Sequence, residues 1–250
     1  RIFYENGLKT KYNNMNTKIR IKNLRTIAPD YPRIPHLDKS ISTMTHDDIV
    51  TETGIQFPLE CWVQEKVDGA NLGVSWTSAP VLRNRNNILK KGYIEKETPA
   101  KLQFRPAWNW IHEHGKSVRW LIQECQSPIT IYGEWMLAEH SLRYDKLPDW
   151  FLAYDIYIVE EKRFMSPDLF DKLMSQTDIK YIKPQKITFN NISDVVECSE
   201  RQSDFRSGLS EGIVMKVSDG RWITDSFKVV NKHFKRREDF NEVLIKNKLK

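Results

Sequence analysis

Cysteine is scarce: Cys61, Cys125 and Cys198 are the three in 250 residues. They are far apart, odd in number and form no Cys-x-x-Cys pair, which excludes a disulfide framework and a cysteine-built zinc site. Reduced thiols suit a cytoplasmic protein, the cytoplasm of a phage or virus host included. Long apolar runs are missing too. The longest, Phe151 to Val159, contains Asp155, so it cannot span a membrane and reads as a buried strand. No signal peptide opens the chain, and neither repeats nor low-complexity tracts occur. Gly115-Lys116-Ser117 imitates the end of a phosphate loop, but Trp110 stands where the first glycine is required and the context is helical. His112 and His114 are too close on a helix to share a face, so they read as surface residues rather than a metal pair.

What is present is a folded, basic chain. Hydrophobic residues reach 40% and charged residues 29%, which suits a core with a solvated surface rather than disorder. Net charge is +6, from 39 basic and 33 acidic residues. The excess sits at the ends. Arg1, Lys9, Lys11, Lys18, Arg20, Lys22 and Arg25 face Glu5 alone, and eight lysines and arginines from Lys228 to Lys250 face Glu238, Asp239 and Glu242. Basic ends favour a polyanionic partner; a plain solvated surface is equally open on charge alone. The length suits one large domain with small appendages. Residues 1–14 read as an extension before Met15, residues 15–235 as the main domain, and residues 236–250 as a basic helix or tail.

Short apolar segments rich in Val, Ile, Trp, Tyr and Phe predict strands at Cys61–Glu65, Leu72–Trp76, Ile129–Trp135, Phe151–Val159, Gly212–Val217 and Ser226–Val230. Helical spacing spans Ala107–Gln123, with Trp108, Ile111, Val118, Leu121 and Ile122 on the inner face. Ser166-Pro167-Asp168 is a helix start, and Ile192–Arg201 and Asp239–Lys248 are further helices. The mixture predicts an α+β fold with antiparallel sheets. Prolines extend Tyr31–Leu37 into a structural arm, with a nucleic-acid surface as the other reading. Asp47-Asp48 reads as a solvated turn.

The chemistry centres on Glu65-Lys66-Val67-Asp68-Gly69-Ala70-Asn71. A lysine at the end of an apolar strand, before a glycine turn, projects an amine from a rigid edge. Asp68-Gly69 between two apolar runs is also a hairpin signal, and the two readings are compatible. Four segments follow in order: Tyr132-Gly133-Glu134-Trp135, Phe151-Leu152-Ala153-Tyr154-Asp155, Glu211-Gly212-Ile213-Val214-Met215-Lys216, and Phe227-Lys228-Val229-Val230-Asn231. Together they offer a lysine nucleophile, two carboxylates and further lysines.

This ordered set resembles the covalent nucleotidyltransferase superfamily of ATP-dependent ligases and mRNA capping enzymes. Its lysine motif is most similar to the branch of nick-sealing phage RNA ligases and trypanosome RNA-editing ligases, because of Asn71. The resemblance covers residues 64–232. It implies a ligase adenylation domain, unrelated to ATP-grasp, of antiparallel sheets flanked by helices. It also implies ATP as cosubstrate, Mg2+ or Mn2+, a lysyl-AMP on Lys66, and sealing of a 5′-phosphate to a 3′-hydroxyl at RNA ends or nicks by a monomer. Glu65 and Val67 would flank the bound nucleotide. Glu134 would contact the ribose or a metal-bound water, and Tyr154 would stack on adenine. Asp68, Asn71, Glu134 and Glu211 would serve the metal. Lys216 and Lys228 would bind phosphate, with Arg83 or Arg85.

Two departures stand out. The last motif of the family presents Lys-x-Lys, whereas here it reads Lys228-Val229-Val230, unless Lys232 bends in. Only 20 residues follow Val230, too few for an OB-fold domain, and the stretch before Lys66 is too short for an NAD-recognising one. A small DNA ligase, a capping guanylyltransferase and a non-catalytic nucleic-acid-binding module are the alternatives. A lysine ordinarily has a pKa of about 10.4, so attack demands cations around Lys66, and a metal to offset Glu134 and Glu211.

Overall fold

The computed structural model of the chain describes residues 24–45, 48–51, 54–91, 99–235 and 244–250. The expected extension at residues 1–14, Asp47 and the start of the expected C-terminal helix lie outside them. Among the described residues no helix is long and apolar enough to cross a membrane.

After a single helical turn, α1 (Leu24–Ile27), the chain forms β1 (Leu59–Lys66), β2 (Ala70–Trp76) and β3 (Pro80–Asn84). Helices α2 (Pro99–Leu102), α3 (Ala107–Glu113) and α4 (Gly115–Cys125) follow, then β4 (Ile129–Trp135), β5 (Phe151–Ile158) and β6 (Arg163–Phe164). Next come α5 (Pro167–Met174), β7 (Gln185–Phe189), α6 (Ile192–Ser199), β8 (Gly212–Ser218) and β9 (Ile223–Val230). The strands make two antiparallel sheets, ordered β7-β1-β8-β9 and β3-β2-β4-β5-β6. The α+β expectation therefore holds.

The Asp68-Gly69 hairpin expectation does not. β1 and β2 belong to different sheets, so the turn carries the chain from one sheet to the other. A Cβ on Gly69 would meet the Met136 sulfur at 2.6 Å. The glycine therefore lets the crossing pack tightly against the end of β4.

Each sheet packs one face into its own apolar core, the side chains alternating between its two faces. Cys61, Val63, Ile213, Met215 and Val229 form one core with Val195 of α6. Leu72, Val74, Ile129, Ile131 and Trp135 form the larger core with Trp110, Ile111, Val118, Leu121 and Phe170 of the helices. The opposite faces of the two sheets, which carry Gln64 and Lys216 on one side and Tyr154 and Asp155 on the other, meet across a cleft. Val67, Met136, Tyr144, Leu152 and Ile182 close its base.

Other expectations shift in detail. The single helix over residues 107–123 is broken at His114 (φ −92°, ψ 5°). A Cβ on Gly115 would meet the Trp76 ring at 2.7 Å, so the break brings backbone against that indole. His114 is partly exposed and engaged, lying between Asp149 and Asp178 and against the Trp110 ring. Residues 244–248 are not helical. Residues 244–250 instead form backbone bridges with Ala138 and Leu147, because Asn247 donates to the Met136 and Ala138 carbonyls and accepts from Tyr144 N–H. Strands β3, β6 and β7 are additional to the segments read from the sequence.

Candidate active site

Lys66 ends β1 on the cleft face, two residues from Gln64. Its Nζ lies 2.7 Å from both Glu211 oxygens. The lysine side chain is 25% exposed and the glutamate 7%. Burial disfavours the ammonium, but Glu211, Asp68 and Glu134 outweigh it, so the Lys66 pKa lies above the ordinary lysine value. In this state Lys66 is a cation.

Glu134 stands opposite Asn71 in the β2–β4 pairing. Burial pushes its carboxyl up to about 8, Lys66 pulls the other way and Glu211 adds to the rise. Glu134 Oε2 and Asn71 Oδ1 are buried without hydrogen-bond partners. Two orphaned hard oxygens beside Lys66 suit a divalent cation or a sugar hydroxyl. Among the described residues, no three His, Cys, Asp or Glu side chains form a ready metal cage. Of the four residues expected to serve a metal, Asn71 and Glu134 offer open oxygens and Glu211 is turned to Lys66. Asp68 Oδ2 accepts from Ser141 N–H (2.6 Å) and Leu142 N–H (3.0 Å). Asp68 thus braces the crossing turn rather than lining the cleft.

A bulge shapes the far end. Tyr132 pairs with Asp155 and Gly133 with Ala153, leaving Tyr154 as the extra residue of β5. Consecutive Tyr154 and Asp155 therefore both serve the cleft. A Cβ on Gly133 would lie 2.4 Å from the Leu152 carbonyl, so glycine permits the bulge. Lys216 Nζ donates to Asp155 Oδ1 (2.6 Å), Gln64 Oε1 (2.5 Å) and the Tyr154 carbonyl (3.0 Å). It is 1% exposed, and burial pushes its pKa down against the pull of Asp155. Every donor of this expected phosphate ligand is committed to the cleft floor. The Tyr154 hydroxyl accepts from Asn71 Nδ2 at 2.6 Å.

Of the two arginines, Arg85 is the one at the cleft, where its charge favours ionised Glu134. Arg83 is buried, donating to the Ala28, Asn84 and Arg85 carbonyls and pairing with Asp30. Lys228 lines the cleft and pairs with Asp48 at 2.8 Å. Lys232 pairs with Glu200 at 3.0 Å and stays outside. Glu65 turns to the opposite face from Lys66, where Ser203 Oγ and Asp204 N–H bind its carboxylate. Val67 is buried in the basal core.

Three participants escaped the sequence. Tyr31 packs against Tyr154 with centroids 5.2 Å apart and donates to Asp155 Oδ2 at 2.6 Å; its proline-flanked arm was the available signal. Gln64 could have been found from its spacing to Lys66. Asp48 is no solvated turn residue. Burial opposes its charge, but Lys228 and Thr45 hold it well below the usual carboxylate range, and His36 lies 3.4 Å away.

The fold has relatives among solved structures. A Naegleria gruberi RNA ligase variant with ATP and Mn matches at TM-score 0.54 and 18% identity, covering 70% of this chain and 50% of that one. A second variant of that ligase, also with ATP and Mn, matches at TM-score 0.53 and 14% identity over 81% and 60%. The same organism's RNA ligase with PPi matches at TM-score 0.51 and 19% identity over 70% and 50%. At these identities the likeness is one of fold. The chain spans between 50% and 60% of the length of these ligases. No curated protein matches significantly. The family model described as RNA ligase matches residues 59–235, well over half the chain, including every strand that walls the cleft though not the arm at residues 31–34. With two sheets meeting at a strand-end lysine, the chain belongs to the RNA ligase family.

Proposed function

We propose that the protein is an ATP-dependent RNA ligase of the nick-sealing phage and trypanosome-editing kind, acting in RNA repair through a lysyl-AMP on Lys66. One observation carries the reading. The Lys66 amine projects into the cleft between the sheets, against Glu211 and beside two unpartnered oxygens of Glu134 and Asn71. A structural ion pair has no need of orphaned acceptors next to it. The binding of ATP and Mn by proteins of similar fold supports the same reading.

Lys66 Nζ attacks the α-phosphorus of ATP. The P–N bond forms as the bond to pyrophosphate breaks, and pyrophosphate leaves. Glu211, at 2.7 Å, is the base nearest the departing Nζ proton. Burial raises its affinity for a proton. Arg85 and Lys228 supply positive charge along the phosphates. Tyr154 and Val214 flank the base, and Lys216, Gln64 and Asp155 meet its edge at the cleft floor. Glu134 and Asn71, joined by Glu211, would hold a magnesium or manganese ion, which would add charge stabilisation at the phosphate oxygens. AMP then passes to a 5′-phosphate, the P–N bond breaking as the phosphoanhydride forms. A 3′-hydroxyl attacks that phosphate and AMP departs. Residues 15–235 are the adenylation unit in this reading, and the positive charge of the two ends favours a nucleic-acid partner.

The test is label transfer. With α-labelled ATP and Mn2+, label should survive denaturation in the wild type and vanish in Lys66→Ala. Label retained by that variant, or taken only from GTP, would overturn the proposal. Sealing of nicked RNA in preference to nicked DNA should follow.

A further inference from the structure

The cleft has two ends along β1. One lies level with Gln64, which pairs with Val214, which in turn pairs with Lys228. Residues 27–37 form a strap over this end, fixed to both sheets. On the second sheet, Arg83 Nη1 donates to the Ala28 carbonyl (2.6 Å) and the Tyr31 hydroxyl to Asp155 (2.6 Å). On the first, Lys228 N–H donates to the Pro35 carbonyl (2.9 Å). Lys66 stands two residues further along β1, level with Gly212. Beyond it the chain runs away from the strap into the crossing turn at Asp68.

The loop of residues 137–147 packs on that turn. Asp68 N–H donates to the Tyr144 hydroxyl (2.8 Å), and Asp68 Oδ2 accepts from Ser141 and Leu142 N–H. Two residues span at most about 7 Å, so the loop begins beside the nucleophile. Two further segments join it. Lys146 N–H donates to the Phe205 carbonyl (3.0 Å) and Arg206 Nε to the Arg143 carbonyl (3.0 Å). Lys248 N–H donates to the Tyr144 carbonyl (2.9 Å) and Lys250 N–H to the Leu147 carbonyl (2.9 Å). Asn247 turns inward to the Met136 and Ala138 carbonyls, so alternation turns Lys246 and Lys248 outward. Residues 137–147, 203–209 and 244–250 together carry six lysines and arginines against Glu139, Asp145 and Asp204. That excess is far steeper than the 39 to 33 of the whole chain. Arg143, Lys146, Lys246 and Lys248 are exposed. Among the described residues none of these four forms an ion pair, and Asp145 gives its Oδ1 to Ser207 N–H (2.8 Å).

We propose that this basic surface, centred on Arg143, Lys146, Lys246 and Lys248, binds the phosphate backbone of the nucleic acid whose end is brought to Lys66. The inference rests on the ligase reading, which requires a nucleic-acid end at the adenylylated lysine. The strap covers the other end of the cleft, and the surface lies against the open one. Contacts of this kind neutralise phosphates, release counterions and carry no base preference. Ile245 and Leu249, 40% and 45% exposed, flank the two outward lysines. Such a mixture also suits an anionic membrane. Continuity with the turn that follows Lys66 favours the nucleic acid, because the reacting phosphate must arrive there.

Binding of the full chain to a nicked RNA duplex over a range of salt, without ATP, tests this. Lys146→Gln/Lys248→Gln should weaken binding by at least about fivefold near 0.15 M salt and lower the slope of log Kd against log salt by about 2. Lys116→Gln/Lys172→Gln removes the same charge from exposed positions on α4 and α5 and should change neither. Both variants should take label from ATP and melt as the wild type does, since all four side chains are exposed. An unchanged slope in Lys146→Gln/Lys248→Gln, or an equal loss in the control pair, would overturn the proposal. So would a wild type that binds vesicles of phosphatidylcholine and phosphatidylserine through Lys146 and Lys248 but does not bind the RNA. If the RNA binds with the expected dependence and no adenylyl-lysine forms, the ligase reading fails and the surface stands. If the adduct forms and RNA binding ignores Lys146 and Lys248, the surface fails and the reading stands.

Discussion

Lys66 and Glu134 hold opposite protonation problems within one cleft. Lys66 must lose a proton that Glu211 helps it keep, whereas Glu134 must ionise although burial pushes it up to about 8. The folded state binds the Glu134 proton more tightly than the unfolded chain does. Its contribution to stability is therefore full below the ordinary carboxylate range and is lost as pH rises towards 8. Glu134→Gln, neutral throughout, should be more stable than wild type at pH 8 and indistinguishable near pH 4, as urea titrations would show. Equal pH slopes in the two proteins would contradict the assignment. Binding of Mn2+ at Glu134 should release protons below pH 8 and tighten as pH rises, which calorimetry in buffers of different ionisation enthalpy can follow.

The elements make these residues meet. Lys216 on β8 and Asp155 on β5 form a buried ion pair between the two sheets, with Gln64 of β1 completing it. Removing one partner strands a charge, so Lys216→Ala should cost about 3–5 kcal/mol of stability by chemical denaturation. A loss below about 1 kcal/mol would show that the pair does not hold the cleft floor. Gly212→Ala should be as damaging, since the new Cβ would lie 2.1 Å from the Val229 carbonyl. It would also disturb the register that sets Glu211 beside Lys66. Strand positions were legible because Ile129–Trp135 and Phe151–Ile158 are apolar runs of the right length. Strand partners were not. Asp68-Gly69 carries the same local signal whether the next strand pairs with β1 or leaves for another sheet, and only long-range packing decides. The bulge at Tyr154 was hidden for the same reason: its cause is Gly133 on a neighbouring strand. Short, exposed β7, with Lys186 on its face, has too little apolar pattern to announce itself.

Across the whole molecule, a lysine from one sheet faces oxygens from the other, and the N-terminal strap ties the two together. The ordered motifs were legible because each is a strand segment with its charge at a fixed offset. Which charges reach the cleft was not legible. Arg83 and Arg85 are two residues apart on or beside one strand, yet a buried anchor to the strap took the first and left the second at the cleft. Asp68, expected to serve the metal, accepts through Oδ2 from backbone amides of a distant loop, a contact that the local sequence does not announce. The central claim is that Lys66 becomes covalently adenylylated, and peptide mass analysis after incubation with ATP and Mn2+ tests it most directly. An adenylyl group on the peptide containing Lys66, removable by pyrophosphate, is the result the account predicts. An unmodified protein, or an adenylyl group on any other lysine, would contradict it.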